Sequence, residues 1–182
     1  EGPRVGSLVE IDGRWYGLQD WARHPESGAL ARFELRPWQP DLQALLSGAR
    51  VSGVERVGAS QREALEQAAN EALLAYKTLT LPKELGGLDE EALGQRVLRI
   101  EKGLLALDLE VKGIRSRLDA AARAQAEWKA QAELAAKASR NPPPPPEPCP
   151  DTERLGDVLD QRKAILMAIL NSLKQALAQV RR

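Results

Sequence analysis

The sequence is poor in the residues that carry out chemistry. In 182 residues it has one histidine, His24, one cysteine, Cys149, and one methionine, Met167. A single cysteine cannot close an internal disulfide, so cysteine usage does not separate a reducing compartment from an oxidising one. One histidine and one cysteine, far apart in sequence, cannot supply the ligand spacings of a structural zinc site. The charge is also balanced. The 26 basic residues offset 26 acidic ones, and each third of the chain is close to neutral, so the basic footprint of a nucleic-acid binder is missing. The longest apolar run, Ala164 to Leu170, falls far short of the ~20 residues that cross a bilayer. These absences lead us to expect no catalytic residue, no metal, no cofactor, no nucleic-acid partner and no membrane span. The chain opens on Glu1-Gly2-Pro3 without a methionine, so an upstream start, signal or anchor is expected, with a periplasmic or envelope-associated setting.

What the chain does hold is unevenly distributed. Aromatic residues make up only 4% of it, and Trp15, Tyr16, Trp21, Phe33 and Trp38 all fall near the N-terminus. In Leu8 to Leu18, two β-prone runs flank Asp12-Gly13, the pair suited to a tight I′ turn because both central residues need φ > 0. A two-residue turn pairs Ile11 with Arg14 and Val9 with Tyr16. Val9, Ile11, Tyr16 and Leu18 then share one face, the expected core, and Leu8, Glu10 and Trp15 share the other. A third strand is expected over Ala29 to Arg36 after a turn at His24 to Gly28, then a short helix at Asp41 to Leu46 and a strand at Arg50 to Val57. This hairpin resembles the strand-turn-strand of small SH3-like barrels. Residues 1–58 therefore read as a small β-rich module, SH3-like or a β-meander.

From Ser60 the period changes to that of a helix. Ser60 and Glu63 match a capping box, and Leu65, Ala69, Ala72, Tyr76 and Leu79 form one stripe of a helix over 60–79, ended by Pro82 and Gly86-Gly87. Asp89 is a natural N-cap for a second helix over 89–139, roughly 75 Å long at 1.5 Å per residue. Along it Leu93, Val97, Ile100, Leu104, Leu107, Val111, Ile114, Leu118, Ala121, Gln125, Trp128, Ala132 and Ala135 alternate at four and three, a heptad seam that must be covered by something. Gly94, Gly103 and Gly113 each cost this helix about 1 kcal/mol relative to alanine, which only close backbone approach would justify. A third helix over 151–181 starts at an Asp151 cap and carries Leu155, Leu159, Arg162, Leu166, Ile169, Leu173, Ala176 and Val180 on its stripe.

The fold expected is thus α+β, mostly α. The β-rich module precedes a three-helix antiparallel coiled-coil hairpin, residues 59–182, with one very long central helix. Helix lengths favour an extended arrangement, in which the first and third helices lie end to end along the second. The alternative is a bundle in which they overlap. The proline-rich turn 140–150 reads as the stiff tip of the hairpin, although Arg140, Pro143 and Pro146 also fit an R-x-x-P-x-x-P ligand for an aromatic groove.

Little here supports catalysis. His24 sits beside Pro25 in a turn, with Asp20 and Glu26 close in sequence, and reads as a surface histidine. Gly86-Gly87 lacks the lysine and hydroxyl residue of a P-loop, and the carboxylates of the long helix alternate with Arg and Lys as on a solvated face. The candidate partner-binding residues are Leu8 and Trp15 on the hairpin, Trp128 on the distal seam, and Arg140, Pro143 and Pro146 at the tip. The helical part is similar to generic coiled-coil adaptors of secretion, pilus, cell-division or phage machines. A non-enzymatic interaction or assembly protein is the leading expectation, with protein partners or self-association through the coiled coil. An inhibitor or immunity protein that blocks a partner enzyme comes second, and a small-ligand or glycan binder using Trp15, Trp21 and His24 third.

Overall fold

The computed structural model describes residues 3–54, 57–147 and 150–182. Strands β1 (Leu8–Ile11), β2 (Arg14–Arg23) and β3 (Leu30–Pro37) form an antiparallel meander in the order β1-β2-β3. The turn between β1 and β2 has Asp12 at φ 51° and Gly13 at φ 75°, as an I′ hairpin requires, and the expected pairs Ile11 with Arg14 and Val9 with Tyr16 are present. The expected core face is corrected. Val9 and Ile11 stay exposed, and Leu8 and Trp15 are the hairpin residues packed against the helices. The reason is the chain that follows. The loop after the sheet crosses the Leu8 side so closely that a Cβ on Gly53 would stand 2.8 Å from Leu8 Cδ1. Of the expected face only Leu18 is fully buried.

Helix α1 (Leu42–Leu46) is capped by Asp41, whose carboxylate accepts from the N–H groups of Gln43 and Ala44. No strand follows among the described residues of 50–57. Val51 and Val54 instead turn inward from an irregular loop and join Leu45 and Leu46 in the helical core.

Helix α2 (Ala59–Ala75) begins earlier than expected. The cap position is Gly58, whose N–H donates to Gln61 Oε1 (3.2 Å), so Gln61 closes the first turn in place of a Ser60/Glu63 box. The helix also runs further. A π-helical turn (Tyr76–Thr80) leads into α3 (Leu81–Leu85), which places Pro82 in a first turn, where its missing N–H has no partner to lose. The widened turn rotates the register, so Leu73 and Leu81 are buried while Leu79 is exposed.

Helix α4 (Glu90–Lys137) is capped by Asp89, which accepts from the Ala92 N–H (2.8 Å). It ends in a Schellman motif, with Ser139 at φ 54° and the Arg140 N–H donating to Ala135 O. Helix α5 (Pro150–Val180) starts one residue before the expected Asp151 cap. It runs antiparallel to α4, tied by Arg115 with Asp160, Lys163 with Asp108 (2.8 Å), Lys174 with Glu101 (3.1 Å) and Arg181 with Glu90 (2.9 Å). Lys163 and then Lys112 hold the Asp108 carboxyl down at about 2. Helix α2 lies parallel to α5: Glu63 pairs with Arg154 (3.8 Å) towards one end and Tyr76 lies by Ile169 and Leu173 towards the other, and between them Arg162 reaches Glu66 and Asn70 Nδ2 donates to Val158 O (2.8 Å). The overlapped bundle is therefore the one formed, and the end-to-end arrangement is not. All three helices share one core, from Leu65, Leu73 and Tyr76 through Leu93 to Ile114 and from Leu155 to Leu177.

Gly103 explains itself in this packing. A Cβ there would lie 2.7 Å from Leu46 O and 2.8 Å from Gly48 N, so α1 approaches α4 backbone to backbone.

Candidate interaction site

The α4 seam is buried only through Ile114. Beyond it Leu118, Ala121, Gln125, Trp128, Ala132 and Ala135 are each half-buried. Their burial keeps the heptad period, so a continuous cover lies along them. Helix α5 covers only the first of them: a Cβ on Gly156 would sit 3.3 Å from Ile114 Cγ2, and Pro150 to Leu155 carry the helix about 9 Å further, to the level of Leu118 and Ala121. From Gln125 on, the proline segment provides the cover. Trp128 Nε1 donates to Pro143 O at 2.8 Å, and Pro143 and Pro146 are half-buried where Pro142, Pro144 and Pro145 are exposed. A repeat of three is that of a polyproline II helix with one ridge laid on a surface.

Lengths account for the ten-residue link. From Ala122, level with the start of α5, to Lys137 the helix advances about 24 Å, a distance that about seven or eight residues in polyproline II return, and the turn at the tip takes up the rest. The link is therefore the return strand of an arm, built from one helix and one proline ribbon, that projects past the three-helix body. Alanine-rich residues 122–137 have high helix propensity, but an isolated helix of this length is marginal in water, and the ribbon gives its seam something to bury against.

The structure thus brings together Trp128, Pro143 and Pro146 of the six candidate residues. Arg140 stands exposed at the turn of the arm. Leu8 and Trp15 are elsewhere, packed half-buried against the helical core. Trp15 also borders an open groove of about 360 Å³ with Tyr16, Trp38, Pro37, Pro40 and Arg14. Cys149 lies outside the described residues. His24 sits in the exposed β2–β3 turn, where its Nδ1 accepts from the Glu26 N–H (3.4 Å).

Two polar clusters escaped sequence reasoning. Arg162, on an otherwise apolar stripe, is 2% exposed, donates Nε to Asn70 Oδ1 (2.9 Å) and Nη2 to Glu66 O (3.1 Å), and stands 2.6 Å from the Glu66 carboxylate. The aligned hydrogen bond goes to the carbonyl, so charge holds the carboxylate. The signal was the arginine itself, since a buried guanidinium requires an acid across the interface. Beside the π-helical turn, Tyr76 OH donates to Glu84 Oε2 (2.8 Å) and Arg96 Nη1 meets the same oxygen (2.6 Å). Burial, then Glu84, pushes the Tyr76 phenol up to about 12, and Arg96, joined by the Tyr76 hydroxyl, lowers Glu84. Both clusters lock helices together, and neither opens onto a cavity that admits a substrate.

Among the described residues, no three or more His, Cys, Asp or Glu side chains converge as a metal site, and no helix is long and apolar enough to cross a membrane. No family model, curated protein or solved structure matches the chain.

Proposed function

We propose that this chain is a non-catalytic protein-interaction module whose projecting arm docks on another protein within an assembly. The observation that carries the reading is the second half of the α4 seam. A rod that leaves the body for about 24 Å gains little stability there, because every seam residue beyond Ile114 keeps part of its surface in water. The same half-covered stripe, with Trp128 at its middle and a rigid proline ridge beside it, suits a partner that completes the burial. The ribbon is pre-ordered, which lowers the entropy cost of such docking.

The carboxylates support a binding role over a catalytic one. The buried and half-buried ones are taken up in ion pairs, such as Glu84 with Arg96 and Glu101 with Lys174. The test is to replace residues 119–147 by a short Gly/Ser loop, which leaves the shared core of α2, α4 and α5 untouched. The expected result is an unchanged melting transition with loss of the partner that the intact chain retains from source lysate. Retention of the same partner by the armless chain would refute the reading.

A further inference from the structure

We infer that the outward ridge of the proline ribbon docks into the aromatic groove on the sheet of a second copy of this chain, so that copies associate head to tail. This rests on the reading of the arm as a docking element and adds both the partner and the receiving surface. The ribbon presents three ridges, as polyproline II must. One, Pro143 and Pro146, lies on α4, and the ridge of Pro142 and Pro145 is exposed, a P-x-x-P pair held outward on a rigid support. The groove has the complementary chemistry. Trp15, Tyr16 and Trp38 line it with Pro37 and Pro40, all but Pro37 half-buried, and the Trp38 backbone N–H donates to the Trp15 backbone carbonyl (2.8 Å), which holds the two residues next to each other. Aromatic grooves with a free indole edge are the surfaces on which polyproline II segments dock.

The molecule already shows this recognition once, where the Trp128 indole N–H donates to the Pro143 carbonyl. Charge agrees with the pairing: exposed Arg14 borders the groove, and exposed Glu147 follows Pro145 by two residues. Ridge and groove cannot meet within one molecule. The groove borders Ala68 of α2, and the pairs Arg62 with Glu110 and Tyr76 with Arg96 set Ala68 opposite the middle of the α4 body, about 36 Å of helix before Trp128. Two different surfaces in contact make a heterologous interface, which propagates into chains or closes into rings.

Sedimentation velocity on the full chain over a concentration series reads this directly. The expected result is growth past a dimer with concentration, abolished by Pro142→Ser with Pro145→Ser and separately by Arg14→Glu, each with the helical circular dichroism of the parent. Mixing the two defective proteins should give a 1:1 dimer that grows no further, because one intact ridge meets one intact groove. Adding Glu147→Arg to the Arg14→Glu chain should restore growth. A monomer at every concentration, a closed dimer that both variants leave intact, or a mixture that fails to associate would overturn the inference. Loss of a different protein from the armless chain, with the free chain monomeric, would overturn it while leaving the proposed function standing.

Discussion

Alanine at Gly94, Gly103 and Gly113 makes the same change at three points of one helix, and the structure gives it opposite signs. In an α-helix interior, alanine is favoured over glycine by about 1 kcal/mol. At Gly94 and Gly113 nothing lies within 4 Å of an added Cβ, so that gain should be realised. For a chain of this size it raises the melting temperature by about 2–4 °C each. At Gly103 the Cβ would meet Leu46 O at 2.7 Å, and Gly48 N and Ser47 C at 2.8 Å, all backbone atoms that cannot swing aside. Gly48 sits there at φ 73° as the residue that ends α1, so it cannot rotate away either. The whole α1 corner must move off α4, disturbing Leu45 and Leu46, and overpacking of this kind costs about 1–3 kcal/mol or more. The net loss expected is up to about 2 kcal/mol after the helix gain is subtracted. Chemical denaturation of the three single variants reads the signs: two stabilised, one destabilised. If Gly103→Ala matches its two neighbours, α1 does not contact α4 at this point and the placement of the sheet on the bundle is wrong.

The remaining expectations follow from the polar clusters and the ribbon. Arg162→Met strands the buried Glu66 carboxylate and should cost about 3–5 kcal/mol by denaturant titration, with a large part recovered by adding Glu66→Met; a loss under about 1 kcal/mol would show that the pair is not buried. Because the Tyr76 phenol is raised above its ordinary 10, its contribution to stability is fully present below pH 10 and is lost as pH rises to about 12, whereas that of Glu84, whose carboxyl is lowered, is present above about 4.5 and is lost as pH falls through its folded value. Absorbance at 295 nm should show one phenol ionising near pH 12 that disappears in Tyr76→Phe, and its ionisation near 10 would contradict the burial. Replacing Pro142 to Pro146 with Gly and Ser should leave the core melting transition in place but speed amide exchange along residues 118–137, since the seam loses its cover; unchanged exchange would mean the ribbon does not lie on it.

The hairpin was legible because Asp12-Gly13 tolerates only a few turn geometries, and the turn then dictates the register. Which face is inside was not, since Leu8 and Trp15 are as apolar as Val9 and Ile11, and a period of two does not say where the next element will cross. Val51 and Val54 looked like strand residues for the same reason, yet they reach the core from a loop. The ends of the first helix were misjudged through local rules that tertiary structure overrode: a cap two residues before Ser60, and a π-helical turn that lets the helix continue past Pro82.

The long seam was plain from its spacing, but a heptad stripe states only that something covers it. That α5 covers the first half and proline the second depends on the length match between ribbon and distal helix, a three-dimensional fact. At the candidate site, Trp128 was visible as a seam residue, and Pro143 and Pro146 as members of a spaced motif. Their mutual contact was hidden because the same prolines that suggest an external ligand are also the ones turned inward. The aromatic groove escaped notice because Trp15 and Trp38, 23 positions apart in the sequence, meet only when β3 folds onto β2.

Small-angle scattering on the chromatographically isolated monomer tests the arm most directly. A compact chain of this length has a radius of gyration of about 16 Å, whereas the 48 residues of α4 alone extend about 72 Å. The account predicts a longest dimension of at least about 72 Å, shortened by roughly 25 Å when residues 119–147 are replaced by a short loop. A near-spherical profile near 50 Å, unchanged by that deletion, would contradict it.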